Sequence, residues 1–259
     1  MPDDRIHAQP VDVQTRWPGG RTNAYVVEGA PGLLVDPPAI DPALTRVAER
    51  HDVGAIAVTH THSDHTGAVA HYADELGATV WARAGRVDRF VAAAGRSPDR
   101  TFREGTAVGP ATVRETPGHA PDHVAFSVGN EALVGDLAVK GGSVVVGGSD
   151  GDLRAYLVSL RRLRQKTLDR LHPGHGPVID APTDTLDRLL VHRLERERRV
   201  LEAVETGARE LDAITDAAYD KDLTGVRGLA RNSVEAHLRK LAVEGHIEWN
   251  GQRAVPAAG

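Results

Sequence analysis

The chain has 259 residues, 41% apolar and 26% charged, with a formal net charge of −5. That balance suits a folded globular protein of one large domain or two smaller ones, and so mild a charge specifies no partner. Cysteine is absent, which excludes disulfides and thiolate metal sites, so any metal must be held by His, Asp or Glu.

No apolar run of about 18 residues is present, so no transmembrane helix is expected. The opening MPDDRIHAQP lacks the charged-then-apolar pattern of a signal peptide, which makes a cytoplasmic location the expectation. TNAYVVEG (22–29) and GLLVDPP (32–38) read as strands of a hairpin around Ala-Pro-Gly. DPALTRVAERH (41–51) opens with an Asp cap and Pro at the first helical position. GAIAVTH (54–60) reads as a buried strand, TGAVAHYADELG (66–77) as a helix closed by Gly, ATVWAR (78–83) as a strand and GRVDRFVAAAG (85–95) as a helix. ATVRETPG, HVAFSVG, EALVGD and GSVVVGG, between residues 111 and 148, read as further strands. DLRAYLVSLRRLRQ (152–165) is an amphipathic helix with Leu153, Leu157, Leu160 and Leu163 on one face, and LDRLHPGHGPVI (168–179) a strand running into a Pro/Gly loop. The order β-rich, α/β, β-rich, α/β predicts an α/β fold of two sheets face to face with helices outside.

From residue 183 the character changes, so the chain divides into residues 1–182 and residues 183–259. A long charge-dense helix (184–207), a second helix (208–219), two helices broken near Asn232-Ser233 (226–245) and a hairpin turning at Asn-Gly (246–255) suggest a small winged-helix-like domain.

The stretch THTHSDHTG carries His60, His62, Asp64 and His65 within six residues. If the chain leaves the sheet extended, His60 and His62 project the same way, and Asp64 and His65 fall in the turn before the next helix. Imidazole and carboxylate are what zinc takes when thiolate is absent. One loop cannot close two metal shells. His119 in TPGHAPDH, Asp136 in LVGDL and His175 in HPGHG each sit in a Gly-flanked turn past an apolar run, where backbone can approach a buried centre.

In that order, H-x-H-x-D-H, T-P-G-H, G-D and P-G-H-G resemble the metallo-β-lactamase superfamily. The resemblance implies an αββα sandwich with a dinuclear site at one edge. His60, His62 and His119 would bind one metal, Asp64, His65 and His175 the second, and Asp136 would bridge them. Asp36, at a strand end and followed by Pro37-Pro38 where Thr-Gly is more usual, would steady a ligand. Two Zn2+ ions are implied, with Mn2+ or Fe2+ as alternatives. Such a pair delivers hydroxide at neutral pH, which makes Asp64 and Asp136 the carboxylates nearest the chemistry and predicts a hydrolase of esters, thioesters, amides or phosphodiesters. Asp122 and His123 read more readily as a buried hydrogen-bonding pair than as direct participants. The remaining histidines, His7, His51, His71, His172, His192, His237 and His246, read as packing or surface residues.

The C-terminal pattern HRLERERRVLEAV followed by SVEAHLRKLAVEGHIEW is similar to the β-lactamase-like protein 2 branch, which implies a zinc endoribonuclease acting on single-stranded RNA. A thioesterase resembling hydroxyacylglutathione hydrolase shares the same ligands and stands as the alternative substrate class. A winged-helix regulator sensing a ligand through a degraded hydrolase is a third reading, which the complete ligand set disfavours. Residues 181–259 hold 12 basic and 14 acidic side chains, a balance that speaks against strong duplex binding. Arg227, Arg231, Arg239 and Lys240 form at most a modest patch, and Leu229, Val234, Leu238 and Leu241 read as internal packing. Homodimerisation is left open.

Overall fold

The computed structural model describes residues 5–257; residues 1–4, the start of the polar N-terminal stretch, lie outside it. Two sheets pack face to face. The first contains β1 (Ile6–Asp12), β2 (Arg21–Val27), β3 (Gly32–Val35), β4 (Val53–Ala57), β5 (Thr79–Arg83) and β6 (Arg100–Phe102), in that spatial order. The second contains β7 (Ala107–Val108), β8 (Ala111–Glu115), β9 (Val124–Val128), β10 (Glu131–Gly135) and β11 (Arg170–Pro173), ordered β11-β10-β9-β8-β7. Helices α1 (Pro42–Arg50), α2 (Ser63–Thr66), α3 (Val69–Leu76) and α4 (Val87–Ala94) belong with the first sheet; α5 (Leu153–Arg164) and α6 (Pro182–Glu205) belong with the second.

Strand alternation builds the layers. Leu33, Val35, Ala55 and Ala57 face the second sheet and meet Val113, Val124, Phe126 and Leu133. Leu34 and Ile56, one residue out of phase, face the helices and meet Leu44, Val69, Tyr72 and Phe90. Across the molecule, Ala132, Val134 and Leu171 meet Leu157, Leu160 and Leu189 of α5 and α6. This is the αββα sandwich expected. β1 escaped the sequence reading: Pro10 and its polar neighbours hide an edge strand, where a missing N–H costs no ladder bond.

The C-terminal elements are α7 (Leu211–Ala218), α8 (Arg227–Val243), β12 (Ile247–Trp249) and β13 (Ala254–Pro256). They close a core of their own around Ile214, Val234, Leu238, Leu241, Ile247 and Ala254. α6 serves both bodies, with Leu186 and Leu189 in the sandwich core and Val200 and Val204 in the C-terminal one.

Two expectations need correction. α8 runs unbroken through Asn232 and Ser233, because Ser233 is buried with the apolar face. The residues of GSVVVGG form no strand. Residues 139–151 are irregular, and their carbonyls are taken by arginines of the C-terminal helices. Arg188 donates to Val139, Lys140 and Gly142, Arg193 to Val144 and Arg239 to Gly148. A sequence pattern of β-branched residues cannot reveal donors supplied from 46 or more positions away.

Candidate metal centre

β4 ends at Ala57, and the chain continues to His62, whose backbone is extended and caps α2. Asp64 and His65 fall in the first turn of α2. His119 comes from the loop between β8 and β9, Asp136 follows β10 and His175 follows β11. Four separate loops thus bring all seven residues to one edge of the sandwich. His60 Nε2 and His119 Nε2 lie 2.9 and 3.0 Å from His62 Nδ1. Asp136 sits between the two halves, with Oδ2 3.5 Å from His119 Nε2 and Oδ1 3.7 Å from His65 Nε2 and 3.5 Å from His175 Nε2. Asp64 Oδ2 is 3.6 Å from His175 Nε2. Three groups of donor atoms result: His60, His62 and His119; His60, His65 and Asp136; Asp64, His65 and His175.

The outward nitrogen of each imidazole meets an acceptor, and that fixes the tautomer. His119 Nδ1 donates to Val145 O (2.6 Å) and His175 Nδ1 to Arg21 O (2.8 Å). His65 Nδ1 donates to Asp36 Oδ2 (2.9 Å). The Thr59 hydroxyl donates to Asp36 Oδ2 (2.7 Å) and so accepts from His60 Nδ1 (3.1 Å). His62 Nε2 faces Asp150 Oδ2 (3.4 Å). With those protons pointing outward, five lone pairs point inward.

Inward-facing nitrogens 2.9 and 3.0 Å from His62 Nδ1 repel it unless a cation lies between them. Tetrahedral zinc with bonds of about 2.0–2.1 Å puts its nitrogens about 3.3 Å apart, close to this spacing. His65 Nε2 and Asp136 Oδ1 are buried and without a hydrogen-bond partner, the signature of ligands aimed at an ion. The residues therefore fit a divalent metal.

Charge reinforces the geometry. Burial, with repulsion from His65 and His119, holds His60 well below the ordinary imidazole range. Burial also lowers His119, against the pull of Asp136. At His65 burial disfavours charge, but Asp36, Asp136 and Asp64 outweigh it and push the pKa up to about 9. Asp136 likewise resists burial through His175, His65 and His119 and stays well below the usual carboxylate range.

Glycine makes the convergence possible. A Cβ on Gly174 would stand 2.7 Å from both Asp136 Oδ1 and His65 Cε1. Asp36 takes a left-handed backbone (φ 54°), a conformation disfavoured for most residues, and its Oδ1 also accepts from the Thr59 amide at 2.6 Å. It braces His65 as expected. His123 is buried, donates to Thr116 Oγ1 (2.9 Å) and accepts the Asp136 amide (3.1 Å), so it orients the backbone of that carboxylate. Asp122 pairs instead with Arg89 (3.1 Å).

Sequence reasoning missed Thr15, whose hydroxyl donates to Asp64 Oδ2 at 2.5 Å, and Trp17, stacked on His175 at 5.6 Å. It also missed Asp150. The one available signal was a Trp-Pro-Gly-Gly turn at residues 17–20, ahead of the first predicted strand. A second group of donors, His7, Glu28 and His51, lies away from this edge. Its two rings stack at 4.2 Å and 17°, and His7 Nε2 (2.6 Å) and His51 Nδ1 (3.2 Å) both face Glu28 Oε1, so the imidazoles are spent on that carboxylate.

The family model described as the metallo-beta-lactamase superfamily matches residues 17–175. A beta-lactamase-like protein 2 homolog of Caenorhabditis elegans is 29% identical over 251 residues, covering 88% of this chain and 80% of the relative. An atrochrysone carboxyl ACP thioesterase of Aspergillus fumigatus is 30% identical over 216 residues, covering 76% of this chain and 64% of the relative. Among solved structures, a metallo-beta-lactamase family protein from Thermus thermophilus superimposes with a TM-score of 0.75 at 23% identity, covering 97% of this chain and 98% of its own. The match over residues 17–175, resting on an αββα sandwich that gathers His and Asp side chains at one edge, makes this chain a member of the metallo-β-lactamase superfamily and a metal-dependent hydrolase.

Proposed function

We propose that this protein is a dinuclear zinc hydrolase whose first metal is held by His60, His62 and His119, whose second is held by Asp64, His65 and His175, and whose ions share Asp136. The observation carrying this reading is the set of five outward-anchored imidazoles with inward lone pairs. When bound, such ions supply Lewis acidity and activate water at neutral pH. The protein's part is to fix the ligands from behind. Asp36 and Thr59 brace His65 and His60, His123 and Gly174 set the approach of Asp136, and Thr15 holds Asp64. Mn2+ or Fe2+ in place of Zn2+ would leave these roles unchanged.

The substrate we put first is a phosphodiester in single-stranded RNA. Similarity to the beta-lactamase-like protein 2 homolog supports it, because that similarity extends across 88% of the chain. On this reading residues 1–182 are the hydrolase domain and residues 183–259 a winged-helix-like domain of a cytoplasmic enzyme. Support for that assignment comes from the order helix, helix, helix, hairpin around a separate core. A thioester is the second reading. The ACP thioesterase relative favours it, as does the state of the C-terminal cations. Arg227 pairs with Asp216 (2.5 Å), Arg231 with Asp212 (3.2 Å), Arg239 with Glu235 (2.6 Å) and Lys240 with Glu197 (2.8 Å), which leaves little of a patch for phosphates.

Incubation of the metal-loaded protein with labelled single-stranded RNA and with S-lactoylglutathione separates the two. RNA cleavage abolished by Asp64→Ala supports the first reading. Hydrolysis of the thioester alone replaces it with the second.

A further inference from the structure

The two halves of the centre are braced unequally by their nearest carboxylates. On the second-metal side, Asp36 stands behind His65, 2.9 Å from its outward nitrogen. On the first-metal side, His60 leans on a hydroxyl and His119 on a carbonyl, both neutral. The ring left over is His62, the most exposed of the three, and the group behind it is Asp150, with Oδ2 3.4 Å from Nε2.

Asp150 is a built feature of the site's rim. It lies at the end of the irregular 139–151 segment, the same segment whose Val145 carbonyl fixes His119. α6 and α8 hold that segment through Arg188, Arg193 and Arg239, and Gly147 packs so closely that a Cβ there would stand 2.4 Å from the Asn232 carbonyl. Two outer contacts of the first metal position thus travel on one clamped piece of chain. The side chain is clamped as well. Arg89 grips both Asp150 oxygens, with Nη1 3.1 Å from Oδ1 and Nη2 against Oδ2. Arg89 is itself fixed by Thr61 Oγ1 (2.7 Å) and Asp122 Oδ1 (3.1 Å). A bidentate fork of this kind sets the plane of a carboxylate as well as its position. Because His62 faces the centre with Nδ1, Asp150 reaches only the far nitrogen and acts through the ring.

We propose that Asp150, oriented by Arg89, is a positioning residue of the first metal position, acting through His62 as Asp36 acts through His65. The inference rests on the dinuclear reading of the site. Its chemistry is that of the carboxylate–histidine–metal arrangement. The carboxylate fixes the Nε2–H tautomer, holds the ring plane and makes Nδ1 a better donor, and loss of such a partner weakens metal binding by about 10–100-fold.

The test is a metal titration of the full chain, stripped of metal and then loaded with Zn2+ in competition with a chromophoric chelator. Wild type is expected to show two equivalents. In Asp150→Ala one of the two affinities falls by about 10–100-fold while the other stays within about twofold. Asp150→Asn keeps an acceptor for Nε2–H and recovers part of the loss. Thermal melting of the metal-free variants, unchanged from wild type, shows that folding is not the cause. Two equivalents in wild type with both affinities unaltered in Asp150→Ala overturns the proposal. So does an equal fall at both positions, and so does an Asn variant as weak as the Ala variant. Wild type that fails to take two equivalents breaks the dinuclear reading instead.

Discussion

Charged and polar side chains crowd both the open edge of the sandwich and the C-terminal helices, yet they are satisfied in opposite ways. At the edge, each imidazole spends its proton outward and leaves a lone pair facing in, and Asp136 keeps one buried oxygen unpartnered. On α6, α7 and α8 the pattern is mutual neutralisation. Arg198 meets Glu202, Arg227 meets Asp216, and Lys240 sits between Glu197 and Glu244. Unmet demand inside a rigid frame marks a binding centre, whereas surface pairs that satisfy each other contribute little beyond solubility and local order. The C-terminal helices matter to the centre by another route, through the arginines that hold the backbone of residues 139–151.

The comparison breaks most visibly if ligands are removed. Asp64→Ala should empty the second position and leave one metal per chain. A bound metal contributes several kcal/mol of charge stabilisation, and each 1.36 kcal/mol is tenfold in rate, so turnover should fall on the order of 10^3-fold. Elemental analysis beside the rate assay checks both parts, and a fully loaded, fully active variant would remove Asp64 from the ligand set. Asp36→Ala should act one step further out. It orphans His65 Nδ1 and the Thr59 amide, and metal affinity should drop by about 10–100-fold. An unchanged affinity would reduce Asp36 to a backbone brace.

His65 at the edge and His192 on α6 should also answer pH with opposite signs. In the metal-free protein the folded pKa of His65 is raised to about 9, against about 6.5 unfolded. Its stabilisation is therefore full below about pH 6.5 and is lost as pH rises toward about 9. Zinc loading at pH 7.5 should then release a proton, read by calorimetry in buffers of differing ionisation heat. On α6, burial and the neighbouring Arg193 and Arg196 push His192 down to about 4. The unfolded chain takes up that proton first, so stability declines as pH falls from about 6.5 to about 4. Replacing His192 with Gln should make this acid limb shallower, leaving the part set by His60 and His119, and should not alter the alkaline limb. The smallest effect is expected from Arg227→Ala, an exposed residue paired with Asp216. The melting temperature should stay at the wild-type value, because an exposed pair is screened by solvent. Its effect on RNA affinity should be nil, and a lowered salt slope would instead identify it as a phosphate contact.

Much of the site was readable before any coordinates, because its chemistry needs rare residue types in a fixed order. Three histidines and an aspartate between a buried strand and a helix have no packing purpose, and turns such as TPGH and HPGHG announce close backbone approach. The unbroken apolar runs Leu33 to Val35 and Ala55 to Ala57 likewise mark strands buried on both faces, and the order of β-rich and α/β stretches points to two sheets. What stayed hidden depends on partners far away in sequence. Asp150 looks like any surface aspartate until Arg89 and His62 stand beside it. Thr15 gains a role only when β1 and β2 carry it over Asp64. Residues 142–148 have the composition of a strand, yet the carbonyls of Gly142, Val144 and Gly148 accept from arginines 46 to 91 positions later. Asn232 and Ser233 suggest a break on local propensity, and tertiary packing overrides it.

The central claim is that seven side chains from four loops hold two cations. Elemental analysis of the purified full chain, beside its Asp136→Ala variant, tests this most directly. Two metal equivalents per chain in the wild type, reduced in the variant at equal folded content, are predicted. A wild type that carries one equivalent or none after zinc loading would contradict the account.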